Sequence, residues 1–178
     1  DGRILATNTD VSGFAQHLLK SWPDFRTFCK RVLIIGAGGA ARAAIYGLKG
    51  LSIEDITIAN RTLETAQALA QHKGCDAVSL NDIQSVLGEV DLVVNTSALG
   101  MRGMPDLDID LHKLSKHAAI YDIVYKPLET RLLRNAKRRG LVAIDGLGML
   151  VYQAKPAFQR WFGVDPEPDD DLYQVLYA

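Results

Sequence analysis

The six residues Gly36-Ala37-Gly38-Gly39-Ala40-Ala41 are the part of the sequence best suited to hold a charged ligand, and they match the spacing Gly-x-Gly-x-x-Ala. Gly36 permits a tight turn, Gly38 lets the backbone approach a diphosphate with no Cβ in the way, and Ala41 lets the following helix sit close to the preceding strand. Free N–H groups at the start of that helix, at the positive end of its dipole, would then face the anion. Glycines at this spacing also occur in turns that bind nothing, so the flanks decide. Before the loop stands Arg31-Val32-Leu33-Ile34-Ile35, a continuous apolar run of the kind buried on both faces of a parallel sheet. After it, residues 40–48 are rich in Ala and lack Pro, as a helix requires. With both flanks right, the loop reads as a dinucleotide phosphate loop.

The second informative cluster decides which dinucleotide. An NAD site carries Asp or Glu at the end of the second strand, roughly 20 residues on, where it bonds the ribose 2′-hydroxyl. Here Asn60-Arg61-Thr62 stands at the end of the strand read over residues 55–59. No carboxylate is there to repel a 2′-phosphate, and Arg61 can stack on adenine and pair with that phosphate. The charge pattern therefore favours NADP, the alternative being an ordinary surface arginine in a turn. Asp10, read from its neighbours alone, is a candidate N-cap for a helix starting near residue 12. Cys29 and Cys75 form no CxxC pair, and His17, His72, His112 and His117 show no tight ligand spacing, so no metal is expected.

These residues need a scaffold of alternating strands and helices. The apolar patterning predicts helices over residues 12–20, 40–48, 62–72, 80–87, 129–139, 149–162 and 171–176, the sixth of these interrupted at Pro156. Strands are predicted over 31–35, 55–59, 77–78, 91–95, 118–124 and 141–144. Thr62 is a plausible N-cap, as are Asn81 or Asp82 for the short fourth helix, while Gly50 and Gly140 are placed to end helices. Strand–helix alternation with six strands is the pattern of an α/β, Rossmann-type doubly wound parallel sheet with right-handed crossovers.

Composition narrows the field of functions. The chain has 178 residues, 48% hydrophobic and 23% charged, with a formal charge of −1. No basic excess suggests nucleic acid, no apolar run is long enough to span a membrane, and no signal-peptide pattern opens the chain. Two distant cysteines fit a reducing cytoplasm. The run Asp169-Asp170-Asp171, beside Pro166 and Pro168, reads as a solvated linker.

Five segments in order resemble one family, the shikimate dehydrogenases with their quinate/shikimate relatives. They are Asn8-Thr9-Asp10-Val11-Ser12-Gly13-Phe14, the loop 36–41 together with Asn60-Arg61-Thr62, Asn95-Thr96-Ser97-Ala98-Leu99-Gly100-Met101, the stretch 122–130 (Asp-Ile-Val-Tyr-Lys-Pro-Leu-Glu-Thr) and the stretch 145–154 (Asp-Gly-Leu-Gly-Met-Leu-Val-Tyr-Gln-Ala). The resemblance implies an NADP-dependent interconversion of 3-dehydroshikimate and shikimate, with Asp10 as one half of an acid/base pair whose other half is a Lys. It implies that Gly36, Ala37, Gly39 and Ala40, with Gly38, line the pyrophosphate, and that Asn60, Arg61 and Thr62 hold the 2′-phosphate. It adds Thr96, Ser97 and Ile123 to the cofactor site, and brings Gly146 and Met149 to the nicotinamide end. Tyr125, Gln153 and Asp10 would contact the small-molecule substrate.

The resemblance also divides the chain. Residues 1–14 would end a substrate domain and act as a hinge carrying Asp10, residues 15–148 would form the dinucleotide domain, and residues 149–178 would return toward the substrate domain. That domain, with the catalytic Lys, is not in this sequence, so the chain alone is expected to be inactive. The last long helix should then expose an apolar face and favour self-association, a homodimer included. Val11 and Ala98 depart from the family's Gly and Pro. Thr65 stands where many NADP-specific members carry a second cation, which leaves dual NAD/NADP use open. Two other readings stand beside the leading one: a quinate or aminoshikimate substrate, and an NADP-binding module with no chemistry.

Overall fold

The apolar run ahead of the glycines forms β1 (Arg31–Ile35), whose last four residues are buried. Val32 and Ile34 join one core cluster while Leu33 and Ile35 join the other, so this strand lies between two hydrophobic layers. Each such side chain withdrawn from water stabilises the fold by ~1.5–3 kcal/mol. In the computed structural model, which describes residues 2–4 and 6–177, β1 is central in a six-stranded sheet. Residues 1, 5 and 178, within the expected 1–14 and 149–178 segments, lie outside the described residues.

The other strands are β2 (Asp55–Asn60), β3 (Asp76–Ser79), β4 (Leu92–Asn95), β5 (Ala119–Asp122) and β6 (Val142–Ile144). All pairings are parallel and the order is β3-β2-β1-β4-β5-β6. This is the doubly wound Rossmann order, in which chain direction across the sheet reverses between β1 and β4. The register places Ile35 beside both Ala59 and Asn95, and Asn95 beside Asp122. The loops leaving β1, β2, β4 and β5 therefore emerge along one edge, at the switch point where ligands of such sheets bind.

Helices α1 (Asp10–Ser21), α3 (Gly39–Gly50), α4 (Leu63–Lys73), α5 (Arg131–Arg138), α6 (Leu147–Phe162) and α7 (Asp170–Tyr177) surround the sheet, with a short α2 (Phe25–Phe28) after the turn at Pro23. α1 packs against both α3 and α6. Its contacts are close: a Cβ on Gly13 would lie 2.7 Å from Gln153 Cβ, and one on Gly148 would lie 2.1 Å from His17 Nε2.

Several local expectations are corrected. α6 continues through Pro156. The lost N–H is tolerated because Gly148 and Gln153 are locked on α1, and Lys155 is tied to Asp165 (3.5 Å) and Glu167 (3.0 Å). Residues 80–87 form two 3-10 turns, Leu80–Ser85 and Leu87–Glu89, and the cap is Ser79, whose hydroxyl accepts from the Asn81 N–H. Gly50 is inside the last turn of α3, and the left-handed residue that follows is Ser52. Gly140 does end α5 with φ +70°. The acidic run is exposed but is no linker: Asp170 and Asp171 open α7, where the helix dipole favours carboxylates, and Asp169 accepts from the Leu172 N–H. The short α2 was not expected. Among the described residues no helix is long and apolar enough to cross a membrane, and no group of three or more His, Cys, Asp or Glu could hold a metal ion.

Candidate functional site

The turn after β1 is shaped by Gly36. Its φ is +105°, and a Cβ there would meet Thr96 Oγ1 at 2.9 Å, so two constraints exclude a side chain. Gly38 takes the N-cap position of α3 without a side-chain cap, and the space around Gly38 and Gly39 is open. The first N–H groups of α3 consequently face an open, exposed edge, the arrangement that binds a phosphate. Ala41 is fully buried beneath it.

Two clefts flank this turn. One, of about 310 Å³, is lined by Ile35, Gly36, Asn60, Arg61, Thr62, Leu80, Ser97, Ala98, Leu99 and Met104. Arg61 and Thr62 are exposed, Asn60 Nδ2 donates to the Thr62 carbonyl (2.9 Å), and Thr62 occupies the N-cap of α4 without spending its side chain on a cap bond. Here a cation, a free hydroxyl and a helix N-terminus come together. The other cleft, of about 200 Å³, is lined by Asp10, Ala40, Ile123, Tyr125, Gly146, Met149, Leu150 and Gln153. It gathers residues from α1, α3, the loop after β5, and α6.

Asp10 is in the first turn of α1 rather than at its cap, which is Thr9, and no side chain bonds the cap. Its backbone N–H donates to Asn8 Oδ1 (2.8 Å), while its carboxylate has no hydrogen bond or ion pair among the described residues. The N-cap role read from its neighbours therefore falls away, because the helix begins two residues earlier than expected. Gly146 sits against the strand end: a Cβ there would lie 2.0 Å from the Ile123 carbonyl oxygen.

Thr96 and Ser97 behave differently from their neighbours. Thr96 is buried and its hydroxyl donates to the Ile35 carbonyl (2.8 Å), so it steadies the Gly36 turn from beneath and lines neither cleft. The Ser97 hydroxyl donates to Asn95 Oδ1 (2.7 Å) and accepts from the Leu99 N–H (3.2 Å), so its proton is used within its own turn although the residue lines the larger cleft. Ala37 and Gly38 lie on the turn and Gly39 opens α3, and none of the three lines either cleft.

Sequence reasoning missed two parts of the site. Leu80, which opens the first 3-10 turn, and Met104, in an irregular loop, line the larger cleft, and nothing in the sequence marks either as a site residue. The buried carboxylate of Asp122 stands in a quoted motif without a role. It accepts from Asn95 Nδ2 (2.9 Å), the Val124 N–H (3.1 Å) and Thr130 Oγ1 (2.7 Å). Burial pushes its carboxyl above the usual range, against the pull of those three bonds.

Residues 18–102 match the family described as Shikimate / quinate 5-dehydrogenase, and residues 146–171 match the Shikimate 5'-dehydrogenase C-terminal domain. A shikimate dehydrogenase (NADP(+)) of Azorhizobium caulinodans is 45% identical over 180 residues, covering 100% of this chain. The chain belongs to the shikimate dehydrogenase family. It spans 64% of the length of that relative. Among solved structures, a quinate dehydrogenase from Corynebacterium glutamicum in complex with NAD superposes with a TM-score of 0.86 at 31% identity, over 97% of this chain and 63% of that one. A Thermus thermophilus shikimate 5-dehydrogenase in complex with NADP(H) and shikimate gives 0.80 at 36%, over 94% and 61%.

Proposed function

We propose that this chain forms the cofactor-binding part of an NADP-dependent dehydrogenase that interconverts 3-dehydroshikimate and shikimate, in the cytoplasm. The observation that carries this reading is the smaller cleft, where Asp10, Tyr125 and Gln153 share a wall with Gly146, Met149 and Ile123, next to the phosphate-loop helix. A module that only sensed NADP would have no use for a carboxylate left without a partner at that place. In this reading residues 1–14 are the hinge, 15–148 hold the dinucleotide, and 149–178 reach toward the substrate side.

The residues present fit the cofactor. The edge at Gly38 and Gly39 is open to a diphosphate, and the larger cleft carries Arg61 in place of the acid that would repel a 2′-phosphate. NADP, when bound, supplies the hydride acceptor or donor. The chain's own part is to bind and orient. The α3 N-terminus and the Gly36 turn hold the diphosphate, while Asn60, Arg61 and Thr62 hold the adenosine phosphate. Tyr125 and Gln153 orient the ring from opposite elements, with Met149 and Gly146 closing the floor. Asp10 exchanges the proton of the reacting hydroxyl together with a Lys, which the family supplies from its substrate domain.

Thr65, exposed in the first turn of α4, gives the 2′-phosphate no second cation, and Glu64 beside it adds a negative charge. That favours, as a second reading, a quinate/shikimate dehydrogenase that uses NAD as well. Calorimetric titration of the chain with NADP⁺ and NAD⁺ in parallel tests both. Tighter NADP⁺ binding is expected; equal affinities would move the assignment to the second reading, and binding of neither would overturn the assignment.

A further inference from the structure

Asp122 is fully buried at the end of β5, yet none of its three partners is a cation. A buried carboxylate is costly unless donors surround it, so a site that keeps one needs the connections it makes. Those connections run in two directions. Toward β4, Asp122 Oδ1 accepts from Asn95 Nδ2, the residue directly opposite in register. This fixes the Asn95 amide with its oxygen pointing the other way, where it accepts from the Ser97 N–H (3.1 Å) and the Ser97 hydroxyl (2.7 Å). Toward α5, Oδ2 accepts from the Thr130 hydroxyl, which itself accepts from the Leu133 N–H (3.3 Å) as the N-cap of that helix. Since a neutral hydroxyl has one proton, the helix bond orients it onto Asp122.

The carboxylate therefore joins two loops. The turn 96–100 supplies Ser97, Ala98 and Leu99 to the larger cleft, and the loop 123–130 supplies Ile123 and Tyr125 to the smaller one. The two loops also touch directly, since a Cβ on Gly100 would lie 3.3 Å from Thr130 Cγ2. The turn 96–100 has its own bonds to Asn95, including Nδ2 to the Leu99 carbonyl (3.0 Å). The side-chain ties of loop 123–130 to the strand ends, by contrast, pass through Asp122.

We propose that Asp122 is a positioning residue for the dinucleotide: through Asn95 and Thr130 it sets the spacing of the two clefts so that one cofactor spans both. The inference rests on the function proposed above. Asp122 touches no ligand in it and takes no proton.

The test compares NADP⁺ with 2′,5′-ADP, which fills only the adenosine side, in the complete protein and its Asp122→Asn variant. An amide keeps one oxygen for Asn95 and Val124 but removes the acceptor that the Thr130 hydroxyl donates to, so the 123–130 loop should loosen at Thr130 while the 96–100 turn keeps its own bonds. The expected result is NADP⁺ binding weakened about tenfold with 2′,5′-ADP binding unchanged. Equal loss for both ligands would reduce Asp122 to a general stabiliser and overturn the proposal, as would no loss for either. Should Asp122→Asn not fold, Thr130→Val cuts only the loop side of the network and must show the same split between the two ligands. Failure of the unsubstituted protein to bind either ligand would instead sink the functional reading itself.

Discussion

Arg61 is exposed at the end of β2, and Thr65 is exposed one turn further on, in α4. Among the described residues Arg61 is the one cation that lines the larger cleft, so the discrimination between NADP and NAD rests on it. Arg61→Ala is expected to weaken NADP⁺ about tenfold, equivalent to ~1.4 kcal/mol, with little change for NAD⁺. Thr65→Lys should shift the ratio by a similar factor the other way. Parallel calorimetric titrations read both, and an unchanged ratio in either variant would remove the phosphate from this corner. At this scale the glycines were legible, because a positive φ and a close backbone approach leave few residue types possible. The hydroxyls were not: the resemblance assigns Thr96 and Ser97 alike to the cofactor, and only the fold shows that both donate within the protein.

Among the elements, α1 decides how Asp10 faces Gln153, and a buried His17 clamps it. His17 Nδ1 is 2.7 Å from the Tyr121 hydroxyl on β5, its ring stacks with Tyr152, and its other side presses on Gly148 of α6. Burial lowers its pKa below 6.5, with the Asp145 charge working in the opposite direction. A depressed basic pKa means that the unfolded chain takes the proton first. Stability is then full above pH 6.5 and falls as pH drops from there toward the folded value. His17→Gln can still bond Tyr121 but cannot titrate. The urea midpoint should fall less between pH 7.5 and pH 5.5 in this variant than in the parent. Superimposable pH profiles would refute the assignment. The helix itself was readable from Phe14 and Leu18, but its clamp joins residues 104 positions apart, beyond any local pattern.

For the whole molecule, the C-terminal face stands out. Trp161 is 76% exposed, Phe162 63% and Val164 59%, and no residue of α7 is buried. Together with Phe158 and the 340 Å³ groove between α6 and α7, they form an apolar surface of the kind that drives association. The 178-residue chain is expected to self-associate as its concentration rises, and Trp161→Glu should reduce that; velocity sedimentation showing a clean monomer at high concentration would count against it.

What the amino-acid order determined alone is whatever depends on short-range pattern. The central strand, the Gly36 turn, the alternation that makes the sheet parallel, and the change from carboxylate to Arg61 all follow from neighbours in the chain, because backbone sterics and hydrophobic period act over a few residues. The tertiary structure decided the rest. It brought Asp10, Ile123, Tyr125 and Gln153 to one cleft, carried α6 past Pro156, and gave the Asp122 carboxylate its three donors. Such contacts are made by side chains far apart in sequence, and their energy exists only once the sheet order has set which strand ends stand together.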